Sequence, residues 1–574
     1  MKFIYLLFLI LLISPVYAIK GDLKLLAVSE QGDGYIGSLA DLELEIKQGS
    51  GRIFIDSFPL TKLDTQISTR FAKEVACDYL DMNCNNYDFF YVIRGSASLI
   101  GGPSAGSALT TLTIALLENE KIKDDVVITG TINSGGFIGP VGGIKEKIIA
   151  AQEANLSKVL IPFGSSLTDD LNMTFNLTDF DIEVIEVSHI SEVLPHFFDA
   201  DLPDFSEELE IDNKYMTTMK YLSDTLCNRT EKWKDQVSNF SEIPSRVINL
   251  TKSSQIAYLE GTYYSSASYC FGSNVELSKV YFNHTLKAED IKSSIAGLRL
   301  KIKEFKGSFP QYKTINDLEA YTAVMERLSE TEELLVKAEI AFEENKTEES
   351  ILNIAVANER YYSAFSWAKF FGSGGEEITI DENDLAQACI LKISESDERI
   401  NYLKIFLGDD LIDPIRDELK LAKRFQNQDE FEMCIYKASK TKARADIILN
   451  SVNIRNDSIK DILDKRLMII KNNLVEETKS NHFPILGYSY YEYANSLKEE
   501  DVFSSLLYAE YALEFGNLDM YFPPKNRTNR LLYNDKFSFL AIGLLLGLIS
   551  GLYFKKVNKK TRLDARGTKC GKKR

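Results

Sequence analysis

The texture of this chain changes near Pro203, and the change narrows the folds open to it. Before that point, strand-like and helix-like segments alternate through glycine-rich joints. Leu23–Ser29, Tyr35–Ile46, Arg52–Ile55, Phe89–Ile93, Val126–Thr129, Val159–Pro162 and Ile182–Ile185 read as strands. Thr65–Met82, Ser104–Leu117 and Ile144–Ala154 space their apolar residues as helices do. Such mixing predicts an α+β domain over residues 19–200. Beyond it glycine becomes scarce apart from Gly372–Gly375, and long helical periodicities take over. Examples are Ala288–Phe305, Asn316–Glu344, Glu348–Phe371, Asp381–Leu407, Asp417–Phe425, Glu430–Leu449 and Ile459–Val475, with a last pair near Tyr490–Leu497 and Val502–Phe515. Residues 205–530 therefore predict one or two helical domains. No strict period of about 34 residues recurs, so a bundle is favoured over a repeat array.

A net charge of −18 excludes a typical nucleic-acid binder, because phosphate contacts need clustered lysine and arginine. The sign reverses after residue 554, and two apolar segments account for that reversal. Residues 1–18 place Lys2 before the run Phe3–Ile13 and end in Val16-Tyr17-Ala18, which predicts a signal peptide cleaved after Ala18. Residues 537–554 carry no charge and predict a transmembrane helix. The basic tail 555–574 would then stay in the cytoplasm. Together these segments predict a single-pass protein of the cell membrane whose residues 19–536 are extracytoplasmic.

Cysteine usage agrees with export. Sequence order suggests the pairs Cys77–Cys84, Cys227–Cys270 and Cys389–Cys434, among the fifteen connectivities that six cysteines permit. Asn-x-Ser/Thr sequons at Asn155, Asn172, Asn176, Asn228, Asn239, Asn249, Asn283, Asn345, Asn456 and Asn526 all fall on the same side.

Chemistry concentrates in two glycine-rich turns. Gly101-Gly102-Pro103-Ser104-Ala105-Gly106 sets a serine at the mouth of an apolar helix, where free N–H groups and the positive dipole end can hold an oxyanion. Ser104 on its own reads equally well as a helix N-cap. The second turn leads into Ile144-Lys145-Glu146-Lys147. A lysine serves as a base at neutral pH only when burial or nearby positive charge lowers its pKa. Lys147 shares the small, apolar stripe of its helix with Ile144, Ala151 and Ala154, whereas Lys145 leans toward Gln152 and Lys158. A Ser104–Lys147 dyad and peptide-bond hydrolysis follow as the expectation. His189 and His196 permit a serine–histidine alternative, but no motif surrounds either, and His284 and His482 are no better placed.

The sequence Gly102-Pro103-Ser104-Ala105-Gly106, then Asp125–Gly130, then Gly139–Ala151 with its Lys-Glu-Lys run, then Val159–Pro162, closely resembles the proteolytic domain of the Lon family in order and spacing. The resemblance spans residues 20–200. It implies an α+β fold related to the second domain of ribosomal protein S5. It also implies Ser104 as nucleophile, Lys147 as the catalytic lysine and Thr129 as the residue that orients it, with Gly102, Pro103, Ala105 and Gly106 in support.

Two departures stand out. Gly101 occupies a position that is usually acidic in the family, and no Gly-x-x-x-x-Gly-Lys-Ser/Thr phosphate loop occurs in the chain. Hydrolysis independent of ATP is expected, with no cofactor and no metal, on unfolded or flexible protein and peptide substrates. The chain looks like a membrane-anchored Lon-like protease of the archaeal kind. Homo-oligomerisation stays open. Two other readings also stay open: a non-catalytic Lon-like assembly module, and a self-cleaving precursor of a helical ectodomain.

Overall fold

Leu25 and Leu26 are neighbours in the first strand yet enter different cores, because successive side chains of a strand point to opposite faces. That strand, β1 (Ile19–Gln31), pairs antiparallel with β2 (Gly34–Gln48) and parallel with β5 (Val126–Ile128). They join β3 (Ile53–Phe58), β4 (Tyr87–Gly95), β8 (Lys158–Pro162) and β9 (Glu183–Val187) in a mixed sheet of order β3-β4-β2-β1-β5-β8-β9. A separate ladder pairs β6 (Thr131–Ile132) with β7 (Ile138–Gly139). The structure, a computed structural model, describes residues 18–522 except 32–33, 59, 96–101, 169–173, 310–311, 373, 375–379, 453–458 and 480–481, together with a few positions between 543 and 555.

Helices cover both faces of the sheet. α1 (Leu63–Tyr79) and α2 (Gly106–Glu118) lie over one face, with α4 (Ile190–Phe197), and share a core with Leu23, Leu25, Leu42, Leu44, Phe89, Tyr91 and Ile128. α3 (Ile144–Glu153) lies over the other, against Leu26, Val127, Val159 and Ile161. α2 is buried from Gly106 through Leu117. Its threonines survive burial because Thr110, Thr111 and Thr113 each donate to the carbonyl one turn back. Truncating Leu112, fully buried there, should cost about 2–5 kcal/mol.

From Asn213 onward the described secondary structure is helical: α5 (Asn213–Ser238), α6 (Ser245–Glu260), α7 (Tyr263–Thr285), α8 (Ile291–Lys306), α9 (Ile315–Glu343), α10 (Thr347–Trp367), α11 (Glu382–Leu403), α12 (Asp409–Asn427), α13 (Phe431–Val452), α14 (Ile459–Lys479), α15 (Ile485–Leu497) and α16 (Val502–Gly516). Disulfides join Cys77 to Cys84, Cys227 in α5 to Cys270 in α7, and Cys389 in α11 to Cys434 in α13.

This helical part grips the β6–β7 hairpin through buried charge. Arg399 donates to the Ile132 carbonyl (2.7 Å) and to Asn133 Oδ1, and its Nε lies 2.9 Å from Asp446. Ser134 Oγ donates to Glu514 (2.8 Å) and accepts from Lys442 (3.2 Å), while Asn473 donates to the Gly135 carbonyl (2.8 Å). Lys392 and Lys442 both pair with Glu514, at 2.7 and 2.9 Å. Buried charges are tolerated because each has an opposite partner within reach.

The expected transmembrane helix and membrane localisation must be corrected. Among the described residues no helix is long and apolar enough to cross a membrane. The run over 537–554 that suggested the span is only 18 residues, at the short end of the lengths that cross a bilayer. Most of that run, like the leader over residues 1–17, lies outside the described residues. The single-pass membrane assignment, built on this segment together with the leader over residues 1–18, is not supported by the described helices.

Candidate active site

Ser104 stands in a single 3₁₀ turn, Pro103–Ala105, that feeds directly into α2. The chain enters this turn through Gly102 at φ +95°, a backbone that a side chain would strain. Gly106 leaves it in close contact with β6, where an added Cβ would lie 2.9 Å from the Ile132 amide nitrogen. No acidic residue of α2 itself occupies its first turn, beside the serine. α1 holds the turn from below. The Gly102 amide donates to Asp64 (3.0 Å), and the Thr65 and Ser68 hydroxyls reach the Gly102 and Pro103 carbonyls at 3.4 and 3.5 Å.

Thr129 immediately follows β5, and its amide continues the parallel ladder to the Leu160 carbonyl (3.0 Å). The next amide, Gly130, donates to the Ser104 carbonyl at 3.0 Å. The parallel strand β5 thus ends where a helix from each sheet face arrives: α2 with Ser104 and α3 with Lys147.

Lys147 is only 3% exposed, whereas Lys145, two residues earlier, is half-buried. Lys147 Nζ donates to Thr129 Oγ1 at 3.1 Å. That hydroxyl in turn donates to the Ser104 carbonyl at 3.3 Å. Lysine and serine turn are therefore two hydrogen bonds apart, with Thr129 between them. Among the described residues no carboxylate stands within ion-pair distance of Lys147. Burial pulls its pKa down to about 7, against a weaker upward pull from Glu146. Ser104 Oγ makes no direct hydrogen bond to Lys147; unliganded active sites often tighten only on binding substrate.

Of the supporting positions, Pro103 and Gly106 are buried, while Gly102, Ser104 and Ala105 are half-buried and can be approached. Gly101 lies outside the described residues. His189 is engaged elsewhere, with Nε2 2.7 Å from the Gly135 carbonyl and Nδ1 2.7 Å from Ser191 Oγ. Burial lowers its pKa. Neither His189 nor His196 is hydrogen-bonded to Ser104 among the described residues. A group with metal-ligand character, Glu477, His482 and Asp519, gathers in the helical part, away in sequence from these turns.

Sequence reasoning missed several contributors. Asp64 was hidden as one acid in the first turn of an amphipathic helix. Tyr402 and Phe406 are more distant. The Gly142 amide, in the turn before Lys147, donates to the Tyr402 hydroxyl at 3.2 Å, and the Phe406 ring packs over Gly142. Burial raises the Tyr402 pKa to about 12, so its hydroxyl keeps its proton. Nothing local in the sequence ties residue 402 to residue 142.

Residues 79–200 match the Lon protease (S16) C-terminal proteolytic domain. The matched segment is similar to the proteolytic domain of Lon-type serine proteases. Among individual relatives, the Lon protease of Campylobacter jejuni is 32% identical over 187 residues, covering 31% of this chain and 22% of its own length. The Lon protease of Lawsonia intracellularis is 31% identical over 172 residues, 29% of this chain and 20% of its own. The peroxisomal Lon protease homolog 2 of Zea mays is 35% identical over 102 residues, 18% of this chain and 11% of its own. The chain spans about a fifth of the length of the bacterial relatives it matches. Those bacterial relatives do not fit the archaeal grouping expected from the sequence.

Proposed function

We propose that this chain is a serine endopeptidase working through Ser104 and Lys147 without ATP. Ser104 Oγ attacks the scissile carbonyl, and Lys147, as the neutral amine, takes its proton and returns it to the leaving amine. Thr129 orients the amine: its hydroxyl proton goes to the Ser104 carbonyl, so its lone pair receives a lysine N–H and the nitrogen lone pair stays free for the serine. The N-terminal end of α2 stabilises the oxyanion. The observation that carries this reading is the buried Lys147, without a carboxylate, bonded to the threonine that also bonds the serine turn.

No phosphate loop occurs in the sequence, which supports hydrolysis without nucleotide on flexible or unfolded chains. The test is casein digestion by the full chain without nucleotide, beside Ser104→Ala and Lys147→Ala. Activity in the parent and none in either variant is expected. Casein left intact by the parent, or cut equally by Ser104→Ala, overturns the reading.

A further inference from the structure

The two glycine-rich turns that present Ser104 and Lys147 share a neighbour from far along the chain. Arg399 and Tyr402 lie three residues apart near the end of α11, and Phe406 follows in the turn behind it. Arg399 anchors this end to β6 by its bond to the Ile132 carbonyl. The Cys389–Cys434 bond ties the same helix to α13. Tyr402 is buried and touches both turns at once. Its hydroxyl accepts from Gly142, and its ring edge lies 4.0 Å from the point where a Cβ on Gly102 would stand. Phe406 is half-buried. Its ring meets that of Tyr402 edge-on, with centroids 5.2 Å apart, and a Cβ on Gly142 would lie 3.2 Å from it. Two aromatic rings therefore stand against the two glycines, and α11, which carries Tyr402 and runs into the turn with Phe406, is tied down at Cys389 and at Arg399.

We propose that Tyr402 and Phe406 form one wall of the substrate cleft and restrict the residue beside the scissile bond to small side chains. The inference rests on the endopeptidase reading and makes Phe406 a specificity-determining residue from outside the segment that matches the Lon proteolytic domain. Glycine at 102 and 142 adds no side chain to either turn, and the Tyr402 and Phe406 rings stand against them. A bulky side chain entering there would have to displace a ring held by its neighbours, and packed interiors resist that.

The test compares two peptides that differ only in alanine or leucine beside the cleavage point, the point being taken from mass-spectrometric mapping of casein products. The full-length parent should favour the alanine peptide. Phe406→Ala should raise the leucine-to-alanine ratio of kcat/KM about tenfold or more, because a ring-sized space opens. A ratio that stays within about twofold overturns the wall while leaving the endopeptidase reading intact. Parent activity that survives Ser104→Ala overturns both. Should Phe406→Ala fail to fold, Phe406→Leu is expected to shift the ratio in the same direction by a smaller factor, and an unshifted ratio again overturns the wall. Tyr402→Phe gives an independent readout. Hydrogen exchange at the Gly142 amide should accelerate about tenfold once its acceptor is gone, and unchanged exchange contradicts the bridging role of Tyr402.

Discussion

Both parts of the chain bury lysines, and Lys147 in one and Lys442 in the other are treated in opposite ways. In the sheet-containing part, Lys147 is 3% exposed and meets a threonine hydroxyl. In the helical part, Lys442 is 1% exposed and meets Glu514 at 2.9 Å and Glu395 at 3.1 Å. Burial alone would lower both pKa values. For Lys147 nothing offsets it enough, and the amine falls to about 7. For Lys442 the same burial is outweighed by Glu514, Glu395 and Asp446, which hold the ammonium well above its usual range. Glu514 answers in kind: burial pushes its carboxyl up, and Lys392 and Lys442 more than reverse that. The partner decides whether a buried lysine is a structural cation or a base in waiting.

The largest expected effect belongs to the proposed nucleophile. Ser104→Ala should lower casein hydrolysis by more than about a thousandfold, followed as release of soluble peptides. Next comes the cation. Lys442→Ala leaves the buried Glu514 and Glu395 to share the single cation Lys392 and should destabilise the protein by about 3 kcal/mol in urea titration. Lys147→Met should act with the opposite sign on stability, raising it by up to about 5 kcal/mol at neutral and acid pH while abolishing hydrolysis. The folded-state pKa of Lys147 is about 7 and the unfolded value is the ordinary one near 10.5, so between them the unfolded chain holds the extra proton. Stability of the parent should thus climb as pH rises from about 7 toward 10.5, and the advantage of the methionine variant should fade over the same window. The smallest effect is that of Thr129→Val. It keeps the shape, removes the hydroxyl and should lower kcat/KM by about tenfold, with KM little altered.

Local signals made some of this visible and left the rest hidden. Alternation in Leu23–Leu25, the continuous apolar run Val126–Ile128 and the glycine pattern around Ser104 mark strands and turns because side-chain direction and backbone freedom are properties of a few consecutive residues. The same holds for the apolar stripe that carries Lys147 rather than Lys145. The β6–β7 hairpin was missed, since two-residue strands are too short to show a period. The helices α5–α7 precede the first clear periodicity at Ala288. In α7 the buried stripe is filled by Ser265, Ser266, Ser273 and Ser278, which a hydropathy pattern does not register. The aromatic wall and the charge network join residues about 260 or more positions apart. Only the tertiary fold brings them together. The membrane anchor was the costliest error: an uncharged apolar run suggested it, but no described helix is long and apolar enough to cross a membrane.

The proposed reaction depends on an amine that is uncharged near neutral pH at residue 147. Nuclear magnetic resonance of ¹³C,¹⁵N-lysine-labelled full chain in the Ser104→Ala background, with Lys147 assigned by its loss in Lys147→Met, follows that titration directly. A midpoint near pH 7 is predicted, while the partnered Lys442 stays protonated throughout. A midpoint at or above pH 10 for Lys147 would mean an ordinary ammonium at that position and would contradict its role as the base.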